Sequence, residues 1–312
     1  MIGASGLTSL QRTTIIYNPF AGGLKGRRFQ RLEQARHLLA AAGYEVTLEP
    51  TTGPSTAGDI ARRAIEGGAD LILAAGGDGT INEVIAGMVK STVPLGILPG
   101  GTANVLANEL GLGNNMLVAA KRIAGSVPRR IALGRLESGA RSRHFLLMAG
   151  AGFDADTVHR VSDGFKARFG KLSYWVAGFS QIVNRLPEFD VAINGTQHRC
   201  SFALTSRVRN YGGDFEIARR TSLLDDRFEI VLFEGGHGFR YIKYLIGMSA
   251  GRLESMKGVT FLRANRVVLS TITDGPVHLQ TDGEYAGLLP ATVEIVPGAL
   301  TLLIPPDYRT PV

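Results

Sequence analysis

Apolar runs and helical spacings alternate along the first third of the chain. Thr13 to Tyr17, TTIIY, is a β-branched run closed by Asn18, Pro19, Phe20, Ala21, Gly22 and Gly23, and such a run ended by Pro and Gly predicts a strand. From Arg27 to Ala42, residues Phe29, Leu32, Leu38 and Leu39 fall on one side of a helix, with Gly43 at its C-terminal end. A strand at Glu45 to Glu49 follows, then a polar turn through Thr51, Thr52, Gly53 and Pro54, and a helix over Thr56 to Glu66. The next strand begins at Leu71 and runs into Gly76, after which Ile81, Val84, Ile85 and Met88 recur with helical spacing. Val93 to Leu98 predicts a further short buried strand, and Pro99, Gly100, Gly101, Thr102, Ala103 and Asn104 turn the chain into a helix over Val105 to Leu110. This alternation predicts a parallel sheet covered by helices, an α/β domain with its ligands at the carboxyl ends of the strands.

From about Arg130 the pattern changes to short strands. They are predicted at Ile131 to Leu136, His144 to Ala149, Asp190 to Ile193, Cys200 to Thr205, Phe228 to Phe233, Val259 to Leu262, Arg266 to Ser270 and Val277 to Gln280. Many short strands separated by turn residues predict a β-sandwich. Two helical stretches interrupt them, Ser173 to Asn184 and Phe239 to Met248. At the end, Val293 to Val296 and Leu300 to Ile304 read as two strands parted by Pro297, Gly298 and Ala299.

Composition and charge sharpen this picture. With 312 residues, 45% hydrophobic and 20% charged, the chain is long enough for two globular domains. Its net charge of +7 comes mainly from 27 Arg against 7 Lys, clustered at Arg27, Arg28 and Arg31, at Arg129 and Arg130, and at Arg219 and Arg220. That balance suits an anionic partner, whether a nucleotide or an anionic membrane surface; a nucleic acid is set aside because no interleaved aromatic and basic pattern occurs. A single Cys200 excludes an internal disulfide framework. Met1 to Leu10 is uncharged and too short in its apolar run for a signal peptide, and no stretch approaches the roughly 18 apolar residues of a membrane span. The expectation is a soluble, cytoplasmic protein.

The candidate chemistry centres on Gly76, Gly77, Asp78, Gly79 and Thr80, between a strand and a helix. Three glycines are expected to turn with positive φ and to let the backbone approach an anion, while the helix offers its unpaired N–H groups. Asp78 is the anomaly, since a carboxylate repels phosphate unless a cation lies between them; this points to Mg²⁺ bound with a nucleotide. A plain strand-to-helix turn with an N-cap remains open. Two such turns ending in Gly-Thr could hold both ends of a triphosphate, with the Thr80 and Thr102 hydroxyls donating to it. Near the end, Thr281, Asp282, Gly283 and Glu284 follow a strand and supply two carboxylates of the kind that accept a proton from an alcohol, or else form a solvated turn.

Taken together, Asn18-Pro19 with its glycines, GGDGTINE at Gly76 to Glu83 and PGGTANVLA at Pro99 to Ala107 resemble the catalytic domain of the diacylglycerol kinase family, which includes bacterial lipid kinases and sphingosine kinases. GAGFDA at Gly150, NYGGDFEIA at Asn210 and LLDDRFEIVLF at Leu223 extend the resemblance over nearly the whole chain. It implies the fold shared with NAD kinases. In that fold a Rossmann-like α/β nucleotide-binding domain, residues 1–134 completed by 297–312, accompanies a β-sandwich lipid-substrate domain at 135–296. The implied activity is transfer of the γ-phosphate of ATP, with Mg²⁺, to a lipid hydroxyl. Asn18, Thr51, Gly76, Gly77, Asp78, Gly79, Thr80, Ile81, Asn82, Glu83, Gly101, Thr102 and Asn104 would bind or orient the nucleotide. Glu284 would act as base, supported by Asp282, facing Asp78 across the cleft between domains.

The resemblance also implies a structural Mg²⁺ on the Asp226 carboxylate and the carbonyls of Leu223 and Phe228. The chain departs from relatives at Arg227, where they carry Gly, at Arg219, where they carry Pro, and at Val105, where many carry Asp. The implied partners are a lipid substrate and the inner membrane face, with peripheral attachment, no nucleic acid, and a homodimer as one assembly left open. The apolar residues of the helix at Ser173 to Asn184, among them Tyr174, Trp175 and Phe179, are either core or acyl-chain pocket. Two other readings stay open: an NAD kinase, which shares the GGDGT loop, and a lipid-binding module without catalysis.

Overall fold

Strand β3 (Leu71–Gly76) is buried at every residue and forms the centre of the first of two units in the computed structural model, which describes residues 12–19, 27–153, 155, 186–211, 215–237, 239–272 and 275–308. The first unit comprises Met1–Ile131 and Gly298–Tyr308, the second Ala132–Pro297 and Arg309–Val312.

In the first unit β1 (Arg12–Tyr17), β2 (Glu45–Pro50), β3 and β4 (Leu95–Pro99) form a parallel sheet in the order β2-β1-β3-β4. The helices are α1 (Arg27–Ala41), α2 (Ala57–Glu66), α3 (Asp78–Met88), α4 (Val105–Glu109) and α5 (Met116–Ile123). Helix-covered strands of a parallel sheet read as unbroken apolar runs because both faces are buried, as β3 and β4 do, while β2 lies at the edge and exposes alternate residues. Helix α5 was not apparent in the sequence; Asn115 caps it by accepting from the N–H groups of Leu117 (3.0 Å) and Val118 (3.4 Å).

The register sets the site. Tyr17 lies opposite both Pro50 and Ala75, and Gly76 lies opposite Pro99. The carboxyl ends of all four strands therefore share one edge, which carries Asn18, Thr51, Gly77 and Gly100. Chain order reverses between β1 and β3, the switch point at which open α/β sheets leave a crevice for ligands.

The second unit is a sandwich of antiparallel strands. Its six-stranded sheet has the order β14 (Val259–Ala264), β13 (Phe228–Phe233), β10 (Phe202–Ser206), β7 (Met148–Gly152), β16 (His278–Thr281) and β17 (Glu284–Leu288). Facing it are β15 (Arg266–Thr271), β8 (Phe189–Ile193), β9 (Thr196–Cys200) and the first half of β18 (Ala291–Ile304), together with the hairpin of β5 (Val127–Ser138) and β6 (Arg141–Phe145). Phe145 stacks on Phe228 with centroids 5.9 Å apart, in a core that Val191, Ala203, Ile230, Val267, Leu279 and Val293 complete. Helix α6 (Phe239–Ser249) and a short antiparallel pair, β11 (Asn210–Tyr211) and β12 (Phe215–Glu216), lie in this unit. Among the described residues no helix is long and apolar enough to cross a membrane.

Three strand expectations are corrected. His144 to Ala149 is not one strand: β6 ends at Phe145 and β7 starts at Met148. From Phe145 on the run is apolar throughout, so nothing local marks the turn; a distant carboxylate makes it, as described below. Cys200 to Thr205 is likewise interrupted, at Ser201, whose hydroxyl bonds the Gly235 carbonyl (2.8 Å) and the Tyr241 hydroxyl (2.8 Å). Conversely, the two strands expected at the C-terminus are one. β18 runs through Pro297 and Gly298, the latter at φ 54°; Ala291 to Glu294 pair with β15 in the second unit, while Leu302 pairs with Leu95 in the first. Phe20 to Gly23, the helix expected at Ser173 to Asn184, and residues 154 and 212–214 of two family motifs lie outside the described residues.

Candidate active site

Backbone meets backbone where the two glycine turns of the first unit come together. The Gly100 N–H donates to the Gly76 carbonyl (2.8 Å). A Cβ on Gly101 would stand 2.5 Å from the Gly77 Cα, and one on Gly77 would stand 3.2 Å from the Gly101 Cα. Close approach is therefore why these positions carry glycine. The expected positive φ is absent from Gly76, Gly77 and Gly79; Gly77 is extended, at φ −88° and ψ 179°. The left-handed residue of the pair of turns is Asn104, at φ 47°. Its buried side chain accepts from the Gly101 N–H (2.8 Å) and donates to the Gly101 carbonyl (3.1 Å) and to Asn114 (2.8 Å). Asn104 thus shapes the second turn from inside.

Asp78 is the first residue of α3, with Gly77 as N-cap. An acid there faces the positive end of the helix dipole. One carboxylate oxygen accepts from the Leu106 N–H at the start of α4 (3.4 Å). Burial raises its pKa above the ordinary carboxylate value, opposed by backbone donors at Val105, Leu106, Asp78 and Asn104. Around it, Gly79 is exposed and Gly77 half-buried, so the first turn of α3 carries little side chain to bar an anion. Among the described residues the Asn82 Nδ2 is buried without a hydrogen-bond partner. Bare helix amides, an unspent donor and a carboxylate make a donor set that fits a phosphate carried with a hard cation.

The other expected nucleotide residues are placed unequally. Thr102 is exposed and Asn18 half-buried on the same edge. Thr80, expected to give its hydroxyl to phosphate, is instead buried and packed against Gly76, where a Cβ would meet Thr80 at 2.8 Å. Ile81 points into the core. Glu83 caps α2, its oxygens accepting from the N–H groups of Ser55 (2.9 Å) and Ala57 (3.2 Å). That holds the loop beginning at buried Thr51, whose N–H donates to the Tyr17 carbonyl (2.8 Å). A groove of about 330 Å³ beside β1, β2 and α2 is lined by Arg12, Thr13, Glu45, Thr47, Glu49 and Arg63, with none of the glycine-turn residues among its walls.

In the second unit Asp282 and Glu284 have different duties. Asp282 adopts φ 51°, and its carboxylate accepts three backbone N–H groups, from Leu146 (3.0 Å), Leu147 (2.9 Å) and Met148 (2.8 Å), while its own N–H donates to the Met148 carbonyl (2.9 Å). This is the contact that breaks the apolar run into β6 and β7. Burial pushes the Asp282 pKa up to about 6 against the opposing pull of those donors and of Arg143. Glu284 opens β17, half-buried, and forms an ion pair with Arg143 of β6. Arg143 had no sequence signal, because only the β5–β6 hairpin brings it there.

The loop expected to hold a structural Mg²⁺ does not fit one. Arg207, wholly buried, donates to the carbonyls of Leu223 (2.9 Å) and Asp225 (3.0 Å), so one of the three expected ligand oxygens already serves a cation. A guanidinium and a divalent ion sharing that oxygen would repel by roughly 5 to 10 kcal/mol at an effective dielectric constant near 20. Asp226 is exposed and Phe228 begins β13 in the core. Among the described residues no group of three or more His, Cys, Asp or Glu side chains could hold a metal.

Comparison with known proteins identifies both units. The diacylglycerol kinase catalytic domain matches residues 12–136, and the YegS C-terminal NAD kinase beta sandwich-like domain matches residues 148–304. The chain is 30% identical over 287 residues to a diacylglycerol kinase of Bacillus subtilis, covering 90% of this chain and 92% of that one. It is 27% identical over 303 residues to one of Staphylococcus epidermidis, covering 95% and 93%. The crystal structure of a diacylglycerol kinase from Bacillus anthracis superposes with a TM-score of 0.76 at 23% identity, covering 96% of this chain and 99% of that one.

Two predictions follow from the geometry. Gly101→Ala forces the glycine turns apart and costs about 1 to 3 kcal/mol in urea unfolding; a loss under 0.5 kcal/mol, on the scale of a neutral surface change, would show that the turns do not need the contact. The second concerns pH. The folded chain keeps its Asp282 proton up to about pH 6, whereas the unfolded chain releases it near the ordinary aspartate value of 3.8. The folded state binds more protons in that window, so this group's contribution to stability falls as pH rises from about 4 to 6, by at most about 3 kcal/mol. Unfolding curves of wild type and Asp282→Asn across that range should diverge in slope accordingly; parallel curves would place the carboxylate in a more watery setting.

Proposed function

The chain belongs to the diacylglycerol kinase family and is a phosphotransferase acting on a lipid hydroxyl, and on that premise we propose that it transfers the γ-phosphate of ATP, bound with Mg²⁺, to diacylglycerol or a chemically related lipid. The observation that carries the reading is Asp78: a carboxylate built into the bare N-terminal turn of α3 and held there by the first amides of α4. An acid in an anion cradle makes sense when the anion arrives with a cation.

In this reading the first-turn amides of α3 bind the phosphates, the engaged backbone of Gly100 and Gly101 shapes the turn beside them, and Asn82 supplies its amide donor. When bound with the nucleotide, Mg²⁺ would supply charge neutralisation on the phosphates. Asp78 is the residue that would hold that metal. Glu284 accepts the proton of the lipid hydroxyl, because both oxygens of Asp282 are already taken by the amides of 146–148. Asp282 fixes the turn from which Glu284 projects, and Arg143 orients the Glu284 carboxylate.

The substrate resides in a membrane, and α6 has a face suited to an anionic lipid surface. Ile246 is 64% exposed and Ile242 37%, one turn apart, beside exposed Arg240 and Lys243, and the helix FRYIKYLIGMS contains no acid. Apolar anchors among cations match the depth and charge of a lipid headgroup layer. The enzyme would attach peripherally to the inner membrane face.

Asp78→Ala and Glu284→Ala should each lower transfer from labelled ATP to vesicle diacylglycerol by about 100-fold or more with the circular dichroism spectrum unchanged. Near-normal transfer in either variant removes that residue from the mechanism, and phosphorylation of NAD in place of lipid would replace the reading altogether. Ile246→Glu should weaken sedimentation with phosphatidylglycerol vesicles roughly tenfold at unchanged melting temperature; undiminished binding would move the membrane contact elsewhere.

A further inference from the structure

Arg207 follows β10 and has no exposure at all. A buried charge is costly unless its donors are met. Here the guanidinium spans two carbonyls of one loop, Leu223 and Asp225, at 2.9 and 3.0 Å, a spacing that suits a planar fork of N–H groups better than a point charge. The loop is also tightened locally: the Asp225 N–H donates to the Ser222 carbonyl (3.1 Å), the Leu224 N–H to the Ser222 hydroxyl (3.2 Å), and the Asp225 carboxylate pairs with Arg263 of β14. Its carbonyls are thereby gathered around a positive charge that the chain itself provides.

The same residue reaches the catalytic turn through its backbone. The Arg207 N–H donates to the Leu147 carbonyl (2.8 Å), and the Leu147 N–H donates to the Asp282 carboxylate (2.9 Å). Carbonyl loop, Arg207, the 146–148 turn and Asp282 form one connected run of hydrogen bonds within the second unit.

We infer that the Arg207 guanidinium is the resident cation of the 222–227 loop, doing there from within the chain what a bound divalent ion would do, and that it is a positioning residue for the turn that carries Asp282 and Glu284. The first half is independent of the kinase reading; the second half rests on it. A fixed guanidinium cannot be stripped by a chelator, so the loop keeps its shape at any Mg²⁺ concentration, and the metal requirement of catalysis reduces to the metal that travels with the nucleotide.

The test uses the full chain without nucleotide. The wild-type melting temperature should be the same in EDTA and in millimolar Mg²⁺, and Asp226→Ala should leave both the temperature and that indifference unchanged. Arg207→Met, close in length but without donors, should melt roughly 5 to 10 °C lower, and Arg207→Lys, which keeps the charge, should recover part of the loss. A wild-type midpoint that rises with Mg²⁺ alone, and no longer rises in Asp226→Ala, would overturn the first half. For the second half, Arg207→Lys, the variant more certain to fold, should lower kcat at least severalfold with KM for ATP unchanged. An unchanged kcat would overturn it, and so would a change confined to KM for ATP. If the wild type phosphorylates no lipid, the kinase reading fails while the melting experiments still decide the first half.

Discussion

The contact on which the first unit depends is the one between Gly77 and Gly101. With no side chain at either position, the ends of β3 and β4 stay in register one residue beyond the strands, and the Gly100 N–H completes the pairing at 2.8 Å. That approach brings the first amides of α4 to Asp78, which is how a carboxylate comes to be held inside an anion cradle. A side chain at the contact would separate the turns, release Asp78 to solvent and remove the feature that distinguishes the cradle from an ordinary helix start. Packing comes first in this chain of causes, and the chemistry inherits its geometry.

The second unit solves a similar problem by another route. There, a single carboxylate replaces the missing local signal for a turn: Asp282 gathers three successive N–H groups from residues more than 130 positions away in sequence. Such a carboxylate is committed to the backbone, which divides the labour between two acids that look equivalent in the string TDGE. Asp282 builds the turn. Glu284 opens β17 two residues on, with its carboxylate in an ion pair with Arg143.

The sequence made the alternating α/β order, the sandwich and the two glycine turns legible, because each leaves a local trace: unbroken apolar runs for covered strands, period-two runs for half-covered ones, glycine where turns are tight. What stayed hidden depends on partners far along the chain. FLLMA contains no turn signal, so the break between β6 and β7 could not be seen without Asp282. Pro297 and Gly298 look like a turn and are passed over by β18, because sheet pairing on both sides outweighs the local preference. The glycines were recognised for their place but not their reason, since close approach and positive φ leave the same letter in the sequence. Glu83 sits within the phosphate motif yet is spent on capping α2, and nothing in GGDGTINE separates a residue that touches a ligand from one that holds the loop beside it.

Arginine usage has a similar double meaning. An excess of 27 Arg over 7 Lys invites a reading in terms of anionic partners, yet several arginines are internal fittings. Arg207 spans two carbonyls in the core; Arg130 bonds the Thr301 hydroxyl (3.0 Å) and the carbonyls of Ser91 and Gly298; Arg122 bonds the Gly111 carbonyl (3.1 Å). Each site asks for a planar fork that reaches more than one acceptor or a fixed direction, which a lysine ammonium does not provide. Part of the arginine count therefore records how this chain closes loops and fastens its returning C-terminal strand. The charge left to act at a distance resides in surface groups such as Arg240 and Lys243 on α6, where position beside exposed isoleucines, rather than the sum of charges, argues for a lipid surface.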